Sequence, residues 1–301
     1  MSLLEKKILE YHEINIFYHQ SPDMDAFGSA YGLEEVIKAN YPDKIVRVVS
    51  DETADISTDS LAIIVDCSVA KRIFNQNYLK AKYSISIDHH PKKITFADTD
   101  ITKVAAAATC ELLVDLVSEF ASLNPISAKW FYQGLLTDTL NFTTSNTTCN
   151  TLKVGSQLLE FGLDVVAIQD QLFGVNMAEF RFAAYLKTVA EYYDGYIVVR
   201  VSEQMCQENN VTMEYAKGCV RLFTNVNGIK VVVMAYQNIE TGNYNVSLRS
   251  KQIVINTLAN KYGGGGHAMA SGIKDLSLNE IISLLSDVEN LIKKNKGANY
   301  E

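Results

Sequence analysis

Cysteine is scarce in this chain and unpatterned: Cys67, Cys110, Cys149, Cys206 and Cys219 are odd in number, widely spaced and include no C-x-x-C pair. The spacing gives no disulfide framework and leaves reduced, mostly buried thiols. No apolar run approaches the roughly 18 residues of a membrane helix, so no membrane partner is expected. The opening Met1-Ser2-Leu3-Leu4-Glu5-Lys6-Lys7 lacks the apolar core and cleavage site of a signal peptide. The expected localisation is therefore cytoplasmic, where N-x-T matches at Asn141 and Asn210 carry no glycan. Internal repeats are absent, as are a Walker loop, a G-x-S-x-G elbow and an H-E-x-x-H helix. Positive charge is in short supply as well, 27 Lys and Arg against 35 Asp and Glu for a net charge of −8. A long duplex is held by neutralising many phosphates, so that partner is excluded. A nucleotide or a short single strand needs only a local cluster of cations.

What is present fits a soluble globular protein: 301 residues, 48% hydrophobic and 21% charged, enough for two cores. The central stretch is Tyr83-Ser84-Ile85-Ser86-Ile87, an alternating strand that runs into Asp88, His89 and His90 before Pro91 stops it. Two other strand-like runs end in the same way. Ile14 to Tyr18 meets His19, Asp23 and Asp25, and Leu61 to Val65 meets Asp66. A further strand covers Ile45 to Val49. Helices are expected at Gly28–Ala39, Val69–Tyr78, Val104–Leu123, Ser127–Thr139 (with Asp138 near its end) and Thr151–Phe161, the last stopped by Gly162. This alternation predicts an α/β fold with a doubly wound, mainly parallel sheet, whose ligands lie at the C-terminal strand ends. A connecting helix is placed at 178–190, separating a catalytic domain, 1–177, from a smaller mixed-sheet α/β domain, 191–301. The latter has strands at 196–201, 229–236 and 244–248, a turn at Thr241-Gly242-Asn243, and helices at 252–262 and 278–293.

His19, Asp23, Asp25, Asp66, His89 and Asp138 supply two imidazoles and four carboxylates. A lone Asp is most often a turn or cap residue and a lone His a satisfied hydrogen bond. All of them at strand ends in one half of the chain point instead to metal. Four carboxylates balance two divalent ions, and one from a central strand, Asp66, suits a bridge between ions about 3.5–4 Å apart. Mixed His and carboxylate ligands favour Mn²⁺, with Co²⁺, Fe²⁺, Zn²⁺ or Mg²⁺ as alternatives. A second group lies in the C-terminal half: Ser247, Arg249 and Ser250, then Gly263 to Gly266 and His267. Glycine N–H groups with a helix beginning after them would form an anion-binding concavity, and Arg249 adds a planar fork for phosphate.

These motifs resemble those of the DHH phosphoesterases: His19-Gln20-Ser21-Pro22-Asp23-Met24-Asp25-Ala26, the Asp66 strand, Asp88-His89-His90 and Thr137-Asp138-Thr139. Ser247-Leu248-Arg249-Ser250-Lys251 and Gly263-Gly264-Gly265-Gly266-His267 resemble the family's C-terminal DHH-associated (DHHA1) domain. The resemblance implies that His19, Asp23 and Asp66 hold one metal and that Asp25, Asp66, His89 and Asp138 hold the other. It further implies that Asp88 orients His89, that His90 faces the scissile phosphate, and that Arg249, His267 and the Gly264-Gly265-Gly266 backbone hold the substrate's far end across a cleft between domains. The implied substrates are very short single-stranded RNA or the 3′-phosphate of phosphoadenosine phosphate. Alternatives are a cyclic dinucleotide or its linear product, or a non-catalytic nucleotide-binding module. After Asp138 the family pattern Thr-Gly-x-Phe-Arg is broken by Leu140 and Thr143, which touches loop shape and substrate preference rather than the ligand. The apolar face on Phe180–Val189 serves a core or a homodimer, with the core preferred.

Overall fold

The computed structural model describes residues 1–92 and 94–296, so the end of the expected second domain, 297–301, lies outside the described residues. Two compact units divide at Gly174/Val175.

In the first unit, α1 (Leu3–Glu10), β1 (Glu13–Phe17), α2 (Met24–Asn40), β2 (Ile45–Val48), β3 (Ser60–Val65), β4 (Tyr83–Asp88) and β5 (Thr99–Thr102) are followed by four helices. These are α3 (Thr109–Val117), α4 (Pro125–Asp138), α5 (Cys149–Leu159) and α6 (Val165–Phe173). The sheet is wholly parallel with order β2-β1-β3-β4-β5. Every residue of β3 is buried, as a central parallel strand requires. Alternation along the strands splits the core. Ile14, Ile16, Leu61, Ile63, Ile85 and Ile87 pack with the helices, whereas Phe17, Ala62 and Ile64 face a smaller cluster with Ile73 and Tyr78. The helix expected at 69–78 is instead a pair of 3₁₀ turns, Ala70–Arg72 and Gln76–Lys80, so that second face is thinly covered.

The strand order reverses at β1: the chain leaves it for β2 on one side and returns to β3 on the other. Ligands of open parallel sheets bind outside the carboxyl ends at such a reversal. His19 follows β1, and Asp66 follows β3.

The second unit begins with α7 (Met177–Val189), so the expected connecting helix groups with it. Phe182 and Leu186 on α7 are buried and Phe180 is exposed. Then come β6 (Glu191–Tyr193), β7 (Tyr196–Val201), α8 (Glu203–Glu208), α9 (Met213–Gly218), β8 (Val231–Gln237), β9 (Tyr244–Ser250), α10 (Asn256–Lys261), β10 (Gly265–His267), β11 (Ala270–Leu276) and α11 (Leu278–Lys296). The mixed sheet runs β10-β11-β9-β8-β7-β6, with β7 and β8 the parallel pair. α11 packs on one face of it, and α7 on the other.

Candidate metal centre

Each ligand candidate is placed by a local device. Asp23 caps α2, its Oδ1 accepting from Ala26 N–H at 3.0 Å, which puts Asp25 in the first turn. Asp66 follows β3 directly in the left-handed region, φ 53°, which Asp tolerates better than most residues. α2 and α4 pack closely through glycines: a Cβ on Gly28 would lie 2.5 Å from the Trp130 carbonyl oxygen, and one on Gly134 3.1 Å from Asp25 Cα. That approach brings Asp138, the last residue of α4, to the acids of α2.

The six side chains meet. His19 Nε2 is 3.5 Å from Asp66 Oδ2 and 3.9 Å from Asp23 Oδ1. His89 Nε2 is 3.2 Å from Asp138 Oδ2, 3.8 Å from Asp66 Oδ1 and 3.9 Å from Asp25 Oδ2. Ligand atoms of His19, Asp23 and Asp66 lie within 4.8 Å of one another, as do those of Asp25, His89 and Asp138, and those of Asp66, His89 and His90. Asp66 thus touches both halves of the cage.

The donor chemistry fits cations. His19 Nδ1–H donates to the Gln20 carbonyl at 2.8 Å and His89 Nδ1–H to the Ala106 carbonyl at 3.2 Å, which directs both Nε2 atoms inward. His89 Nε2 is buried and makes no aligned hydrogen bond. Burial, and then the charges of Asp66 and Asp138, push the Asp25 carboxyl well above the usual range. Burial also raises Asp138. Burial alone would depress His89, but Asp138 and Asp25 more than reverse it and leave it at about 9. Asp66 opposes its own burial by bonding to His19 and His90 and sits below the usual range. So many acids ionise together only beside compensating positive charge, here protonated imidazoles.

Asp88 corrects one expectation. It accepts at 3.0 Å from both the backbone N–H and the Nδ1–H of His90, not from His89. The chain bends at His89 and His90, and an Asp side chain that accepts the N–H two residues on closes an Asx turn, so Asp88 meets His90. Asp66 and Asp88 hold the His90 imidazolium up at about 10.

Sequence reasoning missed the support under the cage. Thr109 N–H and Cys110 N–H, the first turn of α3, donate to Asp25 at 2.7 and 3.0 Å, and Thr109 Oγ1 donates to Asp66 at 2.9 Å. Buried Glu111 accepts from Ala107 N–H at 3.0 Å and Thr151 Oγ1 at 2.8 Å, fixing the loop that carries the Ala106 carbonyl. That loop lies inside the helix expected over 104–123, whose alanines concealed it.

Cross-strand register sets Arg249, Ala270 and His267 in one row and Ser247, Gly272 and Gly265 in the next. Directly opposed residues share a sheet face, so Arg249 and His267 flank the small Ala270. The glycine run precedes a strand pair, not a helix, and this corrects the expected helix dipole there. Gly263 turns at φ 71°, and a Cβ on Gly264 would lie 2.3 Å from the Gly272 carbonyl oxygen. Ser250 Oγ caps a turn by accepting from Ile253 N–H at 2.9 Å, which occupies it locally.

Family models place the rest in context. The DHH family, N-terminal domain, matches residues 13–136, and the DHHA1 domain matches 194–294. The chain belongs to the DHH family of metal-dependent phosphoesterases. It is 30% identical to the Streptococcus mutans protein named probable bifunctional oligoribonuclease and PAP phosphatase NrnA, covering 95% of this chain and 97% of that one. It is 29% identical to the Bacillus subtilis bifunctional oligoribonuclease and PAP phosphatase NrnA, covering 97% and 99%. The solved structure of an exopolyphosphatase-related protein from Bacteroides fragilis shares the fold, with a TM-score of 0.85, 22% identity, and 99% and 96% of the chains covered. Among the described residues no helix is long and apolar enough to cross a membrane.

Proposed function

We propose that the chain uses two divalent ions, Mn²⁺ by preference, to hydrolyse very short RNA and to remove the 3′-phosphate of phosphoadenosine phosphate. The observation that supports this reading is the convergence of His19, Asp23, Asp25, Asp66, His89 and Asp138 at the reversal of the sheet, with Asp66 reaching both halves. His19, Asp23 and Asp66 would hold one ion; Asp25, Asp66, His89 and Asp138 the other. Such ions supply Lewis acidity toward phosphoryl oxygens and a water ionised near neutral pH. The chain's own groups do the rest. His19 and His89 are turned so that Nε2 faces the ions' position and can give up its proton to them, and the α3 N-terminus holds Asp25 in place. His90, propped by Asp88, donates a hydrogen bond to a phosphoryl oxygen. Water oxygen bonds to phosphorus, the ester P–O bond breaks, and the departing oxygen takes a proton. Arg249 and His267 bind the remainder of the nucleotide.

The test is a substrate panel with Mn²⁺ ranked by kcat/KM: RNA of a few nucleotides, phosphoadenosine phosphate, a linear diadenylate and its cyclic form. Turnover of the first two, abolished by His89→Ala, is expected. A cyclic dinucleotide preferred over both would replace the substrate assignment, and tight binding without turnover of any member would end it.

A further inference from the structure

Beside the metal cage, and resting on the phosphoesterase reading of that cage, lies a group of donors with no task inside the protein. A cavity of about 160 Å³ is lined by His19, Asp23, Asp66 and His90 together with Ser21, Ser68 and Arg72. The backbone at Arg72 is fixed to the segment bearing His19. Gln20 N–H donates to the Arg72 carbonyl at 2.6 Å, Phe74 N–H donates to the Tyr18 carbonyl at 2.8 Å, and His19 pairs with Ile73 across an antiparallel bridge. The Arg72 guanidinium nevertheless forms no hydrogen bond or ion pair among the described residues, although Asp23 and Asp66 line the same cavity. The hydroxyls of Ser21 and Ser68 are equally unengaged there.

An exposed arginine without a partner is ordinary; one held in register with a ligand and facing its cavity is not. Guanidinium presents its donors in a planar fork that matches two oxygens of a phosphate. The cage itself concentrates four carboxylates, and a phosphate anion entering it needs fixed positive charge besides the ions. We propose that Arg72, assisted by Ser21 and Ser68, is the wall that grips the non-bridging oxygens of the scissile phosphate.

The experiment uses the full chain loaded with Mn²⁺, with Arg72→Ala and Arg72→Lys, and inorganic phosphate as the calorimetric probe. Losing charge-assisted bonds to phosphate should weaken its binding about 10–100-fold in Arg72→Ala. Arg72→Lys, which keeps the charge but not the fork, should recover part of it. Tm and bound manganese should stay at wild-type values, because the guanidinium touches no ligand, and kcat/KM on bis(4-nitrophenyl) phosphate should fall in step with phosphate affinity. Wild-type phosphate affinity in Arg72→Ala would overturn the inference. So would loss of manganese, which would show Arg72 acting through the cage. Phosphate titration needs no turnover. A protein that cleaves none of the panel, yet loses phosphate in Arg72→Ala, would retire the proposed substrates and keep the wall.

Discussion

Asp66 combines two demands that few residues meet together. Its left-handed backbone costs most side chains about 1–2 kcal/mol. Its two oxygens approach different histidines: Oδ2 faces His19, while Oδ1 faces His89 and His90. Asn tolerates that backbone but carries no charge. Asp66→Asn should therefore still fold, with a lower metal-free Tm at neutral pH because His19 and His90 lose their counter-charge, and should lose manganese more severely than the roughly 10–100-fold loss typical of a supporting residue. Elemental analysis after dialysis checks it. Asp88→Asn should behave in the opposite way. Because Asp88 props His90 and not His89, manganese content should persist while kcat falls about 10–100-fold. Loss of metal in that variant would show that Asp88 acts through His89 after all. At this scale the sequence was highly legible. Strands delivering Asp and His from their C-terminal ends are a strong pattern, and the structure brings all six side chains together. Thr109, Cys110 and Glu111 were not legible, because two of them act through backbone N–H groups that every residue type possesses, and Glu111 looks like any helical acid.

Close packing of α2 on α4 decides whether Asp138 reaches the cage. Gly28→Ala would set a methyl 2.5 Å from the Trp130 carbonyl oxygen, a backbone atom that cannot step aside. A cost of about 1–3 kcal/mol is expected, together with weaker manganese binding; denaturant unfolding with and without metal measures both. The turn after α4 holds a different tension. Leu140, Asn141 and Phe142 all lie in the left-handed region, at φ 45°, 60° and 62°, where the family pattern has a glycine at the first. Leu140 is 42% exposed, so Leu140→Gly gives up only part of a leucine's burial. It should stabilise the chain by up to about 1 kcal/mol, offset in part by glycine's entropy, as a small rise in Tm. Long or strongly patterned elements were readable: β3 by its unbroken apolar run, and α4 by its length and its apolar Trp130, Phe131, Leu135 and Leu136. Short ones were not. β5 and β10 have four and three residues, too few to show a period. Ala105 to Ala108 read as helix because alanine favours one, yet the loop there is held by buried Glu111, and tertiary contacts overrule propensity. The glycine run at 263–266 did not reveal the strand pair in place of the expected helix, because a turn and a close strand approach leave the same trace in a sequence.

Across the whole molecule, the cage ties metal to protons. His19, His89 and His90 all titrate above the ordinary imidazole value in the metal-free protein, His89 at about 9 and His90 at about 10. A raised pKa contributes stability that is fully present below about pH 6.5 and is lost as pH rises through the folded value. Chelated protein should therefore lose Tm between about pH 7 and 10, and manganese-saturated protein should lose less, since an imidazole coordinated through Nε2 has no Nε2 proton left to titrate. Manganese binding at neutral pH should release protons, visible as a calorimetric enthalpy that changes with the ionisation enthalpy of the buffer. Equal enthalpies in two such buffers would mean that the histidines are already neutral.

The ligands also stand far apart along the chain, from His19 after β1 to Asp138 at the end of α4, with strands and helices wound between them. A polypeptide still emerging from the ribosome owns part of the cage but not the whole of it until α4 has docked. Hydrolytic competence toward RNA would then wait for the docking of α4, and a copy cut short or misassembled before that step would be a harmless one.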